Sequence, residues 1–283
     1  MKKDRAAGAA AMVVLVGVLA GCAGGRSADG PAEAGDPGPA ATAAAPAAAA
    51  ARWTSTASLP ERLAADGTTI VVGDPGARST VRVLEDPRCP VVEEFERTGA
   101  PGLRSGLLSR MVKAEYTFAS FKDDRLGGDG SKRAVNALRA ALEQGKFVEY
   151  HAVLFRHQAE VESSGGFTTE RLLQLAAKVP RLRGDAFDTA VRTMRYRAFV
   201  TASERAYETT GDDPRGPGTP SVVVNGHPVE GGLYHLLFDE EAVKGLVFDL
   251  HYFPARWEKS YLPYKAEVEA EMEAGAEAEG AAS

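Results

Sequence analysis

The residues best suited to chemistry sit in one short run, Asp86-Pro87-Arg88-Cys89-Pro90-Val91-Val92. A cysteine can attack a disulfide as its thiolate, and a helix N-terminus favours that anion through its unpaired N–H groups and positive dipole end. Proline directly after Cys89 suits the first helical position, where its missing N–H costs nothing. Arg88 adds positive charge beside the sulfur, whereas Glu85, Asp86, Glu93 and Glu94 work against a second negative charge. The position three residues on, where a resolving thiol would stand, is Val92. Of the 5 histidines, His151 falls on an apolar helical face and reads as a core residue. His157, His227, His235 and His251 show no metal-ligand spacing. The glycine pairs at 127–128 and 231–232 form no phosphate-binding fingerprint, and no Gly-x-Ser-x-Gly elbow is present. Neither a metal nor a cofactor is expected.

The only other cysteine among 283 residues is Cys22. It follows a charged start (Lys2, Lys3, Arg5) and a short apolar run centred on residues 12–19. That run is too short to span a bilayer comfortably and has the layout of a secretory signal. It ends in Leu19-Ala20-Gly21-Cys22, which resembles the bacterial lipobox. Residues 1–21 are thus expected to be a signal peptide and Cys22 the lipidated N-terminus. The segment 22–58, rich in Ala, Gly and Pro, reads as a tether, since Ala alone buries too little to offset chain entropy. About 38 residues of such coil reach roughly 35 Å. The Glu/Ala-rich tail, 264–283, is set outside the core. A net charge of −6 argues against a nucleic-acid module.

The elements that must position Cys89 lie between, in a domain over 59–263. The β-branched run 68–72 and the run 80–85 read as strands, with a helix from Pro90 and a further strand over 111–120. A helical block follows over about 131–209, with Ser131 as an N-cap and Gly145 as a stop. Pro220-Ser221-Val222-Val223-Val224 then leads into Asn225-Gly226, a strong hairpin signal, and a last helix spans about 240–250.

This order, with Cys-Pro at a strand-to-helix turn, resembles the DsbA-like branch of the thioredoxin superfamily. Three segments carry the resemblance: residues 81–90 ending in Cys89-Pro90, residues 144–155, and residues 218–226 around Thr219-Pro220. It implies an α/β, thioredoxin-like fold with a helical insert and Cys89 in the nucleophile's place. It also implies a cis Thr219-Pro220 bond beside the cysteine loop, with Pro90, Thr219 and Pro220 contacting substrate. The family's motif is Cys-x-x-Cys, and here Val92 replaces the second cysteine. With Cys22 assigned to lipid, no catalytic disulfide can close within one chain, so Cys89 is limited to one-thiol exchange.

Three functions stay open at this point. One is a membrane-tethered, extracytoplasmic oxidoreductase-like protein acting through Cys89. Another is a redox-inactive module that binds a peptide or an envelope protein on the same fold. The third is a structural envelope lipoprotein. The expected partners are an extracytoplasmic polypeptide and the membrane through lipid on Cys22, with a Cys89-linked dimer also open.

Overall fold

The computed structural model describes residues 52–281, so the signal segment, Cys22 and most of the tether lie outside the described residues. A six-stranded sheet runs in the order β1-β2-β4-β3-β5-β6. Its strands are β1 (Glu61–Leu63), β2 (Ile70–Gly73), β3 (Ser79–Glu85), β4 (Val112–Phe118), β5 (Ser221–Val224) and β6 (His227–Pro228). β3 and β4 pair parallel, and every other pairing is antiparallel. Helices α1 (Pro90–Thr98) and α2 (Ala100–Leu108) form the crossover from β3 to β4. Between β4 and β5 come α3 (Lys122–Leu126), α4 (Gly130–Leu142), α5 (Phe147–Arg156), α6 (Gln158–Ser163), α7 (Thr169–Ala176), α8 (Asp185–Arg192) and α9 (Arg197–Glu208). After β6 a 3-10 turn, Gly231–Phe238, leads to α10 (Glu240–Tyr252) and α11 (Leu262–Ala281). The fold is therefore the expected α/β sheet with a helical insert.

Strand periodicity fixes which side chains face which layer. Val81 and Val83 of β3 join the main core, while Leu84 joins Ala119 and Tyr207 in a smaller cluster. Phe121 stacks on Tyr207 and packs against that smaller cluster. α4 is buried from Ala134 to Leu142 and packs against α5, α8 and α9, so it is the spine of the insert.

Several expectations need correction. Ser131 is not an N-cap: Asp129 holds that position, and the Ser131 hydroxyl donates to Asp86 Oδ1 at 2.6 Å. The segment 52–58 is not free coil. Trp53 N–H donates to Leu108 O and its ring lies under the Arg110 guanidinium at 3.9 Å. The tail joins the fold too. α11 packs on the 231–238 turn, where Gly232 N–H donates to Glu269 Oε1 at 3.1 Å. A Cβ at Gly232 would lie 2.5 Å from Lys265 O, so only glycine permits that approach. The tail's alternating Glu and Ala gave no strong apolar stripe, which is why its docking was not legible.

Candidate functional site

Cys89 follows the loop that leaves β3 and is the N-cap of α1, with Pro90 in the first turn. Its carbonyl accepts from Val92 N at 3.1 Å and Glu93 N at 3.2 Å, while its own N–H donates to Asp86 O at 2.9 Å. The helix thus starts at the sulfur-bearing residue. The residue is only 2% exposed, and its thiol donates to Thr219 O at 3.3 Å. The two residues are 130 positions apart and meet because the insert returns the chain to β5 beside β3. The Thr219-Pro220 bond is cis. Val92, in the resolving position, is fully buried in the core, whereas Val91 is exposed. Pro90 is exposed at the mouth of the loop.

The 217–220 loop is held from two sides. Gly218 N–H donates to Tyr207 Oη at 3.0 Å, and Tyr234 Oη donates to Pro220 O at 3.5 Å. Gly216 has φ +82°, and a Cβ there would lie 2.3 Å from the Tyr207 ring. Thr219 Oγ1 is buried with no hydrogen-bond partner. A cleft of about 490 Å³ opens on this flank, between Phe121, Tyr207, Arg215 and Gly218. None of the positions that hold the loop carried a motif in the sequence.

Arg88 does not serve the sulfur. Its guanidinium bonds to Asp123 Oδ1 and Gly127 O, each at 2.9 Å, and to Glu162 Oε2 at 3.1 Å. Two carboxylates thus offset its charge, and the group ties the cysteine loop to α3 and α6. Asp86 is a second tie. Its carboxylate accepts from Arg88 N and Lys122 N, each at 2.9 Å, and from Ser131 Oγ. Burial pushes Asp86 up to about 6, against those stabilising bonds.

Deeper in the core, Glu85 at the end of β3, Glu96 of α1 and His151 of α5 converge. His151 Nε2 lies 2.7 Å from Glu85 Oε2, and its Nδ1 lies 3.8 Å from Glu96 Oε2. Arg104 reaches the same Glu96 oxygen at 3.3 Å. Burial pushes both carboxyls up and His151 down, each disfavouring the charged form. His151 is thus buried as expected of a core residue, but between two acids that the sequence reading did not group with it.

A Cys-Pro helix start set against a proline loop from a distant β-hairpin defines a thioredoxin-type site. A family profile described as thioredoxin matches residues 65–235, more than half of the chain. The chain belongs to the thioredoxin family. No curated protein matches it. Among solved structures it is similar to MdbA, a thiol-disulfide oxidoreductase from Corynebacterium diphtheriae, at 19% identity and TM-score 0.53, covering 64% of this chain and 92% of that one. BdbD from Bacillus subtilis is similar at 19% identity and TM-score 0.54, covering 67% and 96%. DsbA from Chlamydia trachomatis is similar at 18% identity and TM-score 0.53, covering 65% and 92%. At such identities the likeness speaks for the fold.

Proposed function

We propose that this is an extracytoplasmic, lipid-anchored thioredoxin-family protein that engages a polypeptide at the Cys89/Thr219-Pro220 face and does one-thiol exchange through Cys89. The observation that carries the reading is the 3.3 Å contact of the Cys89 sulfur with the Thr219 carbonyl at the start of α1. In the proposed step the Cys89 thiolate attacks a partner disulfide. One S–S bond breaks, a Cys89–partner mixed disulfide forms, and the partner's other sulfur leaves as thiolate. The electrons balance without an oxidant. With Val92 in place of a second thiol, release needs an external thiol. Pro90, Thr219 and Pro220 would line the contact with the partner chain.

The test is mixed-disulfide trapping on the intact protein with a disulfide-containing peptide, resolved by mass. A peptide adduct at Cys89 that dithiothreitol removes supports the reading. Rapid turnover of a reduced peptide to its disulfide by the monomer would overturn it.

A second reading, non-covalent binding by the same face, is favoured by the burial of Cys89 and by its thiol's engagement with Thr219 O. A protein that binds the peptide but never forms the adduct would select it. A Cys89-linked dimer would require the sulfur to leave that contact, and non-reducing electrophoresis reads it in the same samples. The anchor rests on the 19–22 motif: Cys22→Ala should release the protein from the membrane or leave an uncleaved precursor.

A further inference from the structure

We infer that Glu85, Glu96 and His151 form a binding site for one divalent transition-metal ion, with zinc as the fitting case. This goes beyond the thiol reading and stands independently of it. The three residues come from β3, α1 and α5, and one ligand-capable atom of each lies within 4.8 Å of the others. Both glutamate side chains are more than nine-tenths buried. Each uses one oxygen: Glu85 Oε2 faces His151, and Glu96 Oε2 faces Arg104 and His151. The other oxygen of each, Glu85 Oε1 and Glu96 Oε1, is buried and accepts from no N–H or hydroxyl donor, and the two carboxyls face each other. Two buried carboxyls can meet only through a shared proton, and a divalent cation would take that proton's place while satisfying both oxygens.

The donor set decides the class of ion. One imidazole nitrogen and two carboxylate oxygens match zinc sites in which about three protein ligands leave a position for water. Calcium would want about six to eight oxygens, which this apolar shell of Tyr116, Phe118, Phe147 and Phe155 does not supply. Tetrahedral zinc bonds of about 2.0–2.2 Å place ligand atoms roughly 3.3–3.6 Å apart, so the widest pair, now within 4.8 Å, closes by up to about 1.4 Å as the ion enters. A small cavity of about 30 Å³ borders Glu96, His151, Tyr116 and Phe147, enough for the remaining water ligand. It shares Glu96, Arg104 and Ala152 with a surface cleft of about 340 Å³, which supplies an entry path. Arg104, bound to Glu96 Oε2 and Glu96 O, would hold that carboxylate in place with Oε1 toward the ion. Protons on the carboxyls leave to solvent as the cation enters. The bound ion would tie α1, which carries Cys89 at its start, to the end of β3 and to α5.

The intact protein, prepared without a polyhistidine tag and stripped with EDTA, is titrated with Zn2+ by calorimetry and followed by thermal melting. Co2+ serves as the optical probe. The expected result is one ion per chain, a rise in Tm on adding Zn2+, and a Co2+ spectrum without thiolate charge transfer. Glu96→Gln should weaken binding at least tenfold. Because a core substitution can unfold the chain, wild-type binding is the primary readout. No stoichiometric binding at micromolar Zn2+ and no Tm rise would overturn the site. So would a thiolate band, which puts the metal on a cysteine, or undiminished affinity in folded Glu96→Gln.

Discussion

At the residue scale, Cys89 is governed by its neighbours more than by its own chemistry. Val92 fills the place of a second thiol and is fully buried, so the substitution Val92→Cys puts a sulfur in the core within one helical turn of Cys89. A disulfide closes only when the two Cβ atoms come within about 3.5–4.5 Å. We expect Val92→Cys to fold, to lose about 1 kcal/mol or less in the reduced state, and to form an intramolecular disulfide seen as the loss of two free thiols. Two titratable thiols persisting under oxidising conditions would show that the loop geometry differs from the family's. Asp86 gives a pH test. Its folded value, about 6, lies above the unperturbed 3.8, so the fold holds the proton more tightly than the unfolded chain does. That contribution is complete below about pH 4 and is lost as pH rises through about 6. Asp86→Asn removes it and leaves three donors with one amide oxygen, at a cost of roughly 1–3 kcal/mol. Urea unfolding of both proteins from pH 4 to 7 checks this. The wild-type minus variant difference should shrink toward pH 7, and a flat difference would contradict the assignment.

At the element scale, close backbone approach decides how α2 sits. A Cβ on Gly99 would lie 1.8 Å from Leu237 O, and one on Gly102 would lie 2.3 Å from Glu240 O. α2 therefore touches the 231–238 turn and the start of α10 backbone to backbone. The same turn carries Tyr234, which reaches the Pro220 carbonyl. Gly102→Ala should cost about 1–3 kcal/mol through forced separation. Gly245→Ala is the matched comparison, since a Cβ there meets nothing within 4 Å on α10. It should stabilise by about 0.5–1 kcal/mol from helix propensity. Thermal melting distinguishes the two, and equal effects would refute the close-approach account.

At the scale of the whole molecule, the insert and the C-terminal segments act as braces on one site. The insert delivers Tyr207 to the 216–218 loop, and α11 covers the turn that carries Tyr234. Removing residues 264–283 should uncover Gly231 and Gly232 and lose the Glu269 bond to Gly232 N–H. We expect a Tm lower by several degrees, with α11's neighbours showing faster amide exchange; unchanged exchange over 231–238 would mean the tail adds nothing. Among the described residues no helix is long and apolar enough to cross a membrane.

The sequence by itself determined strands β2 to β5, though not the three-residue β1, together with the helix start at Pro90 and the Asn225-Gly226 hairpin, because each depends on local periodicity or turn chemistry. It also located Cys89, Val92 and Pro220, which motif order places in one family. It did not show that Arg88 turns to Asp123 and Glu162, since acids 35 and 74 positions away leave no local pattern. Nor could it bring Glu85, Glu96 and His151 together. They occupy a strand end and two helices, and only the packing of α1 and α5 against β3 sets their distances. α2 has no counterpart in the sequence reading, and its Pro101, Gly102 and Gly106 are poor helix formers. The tertiary structure makes a helix of them because glycine lets α10 pack directly against that face. Local rules fix elements, whereas long-range packing decides which polar groups are buried together and thus what chemistry the core can hold.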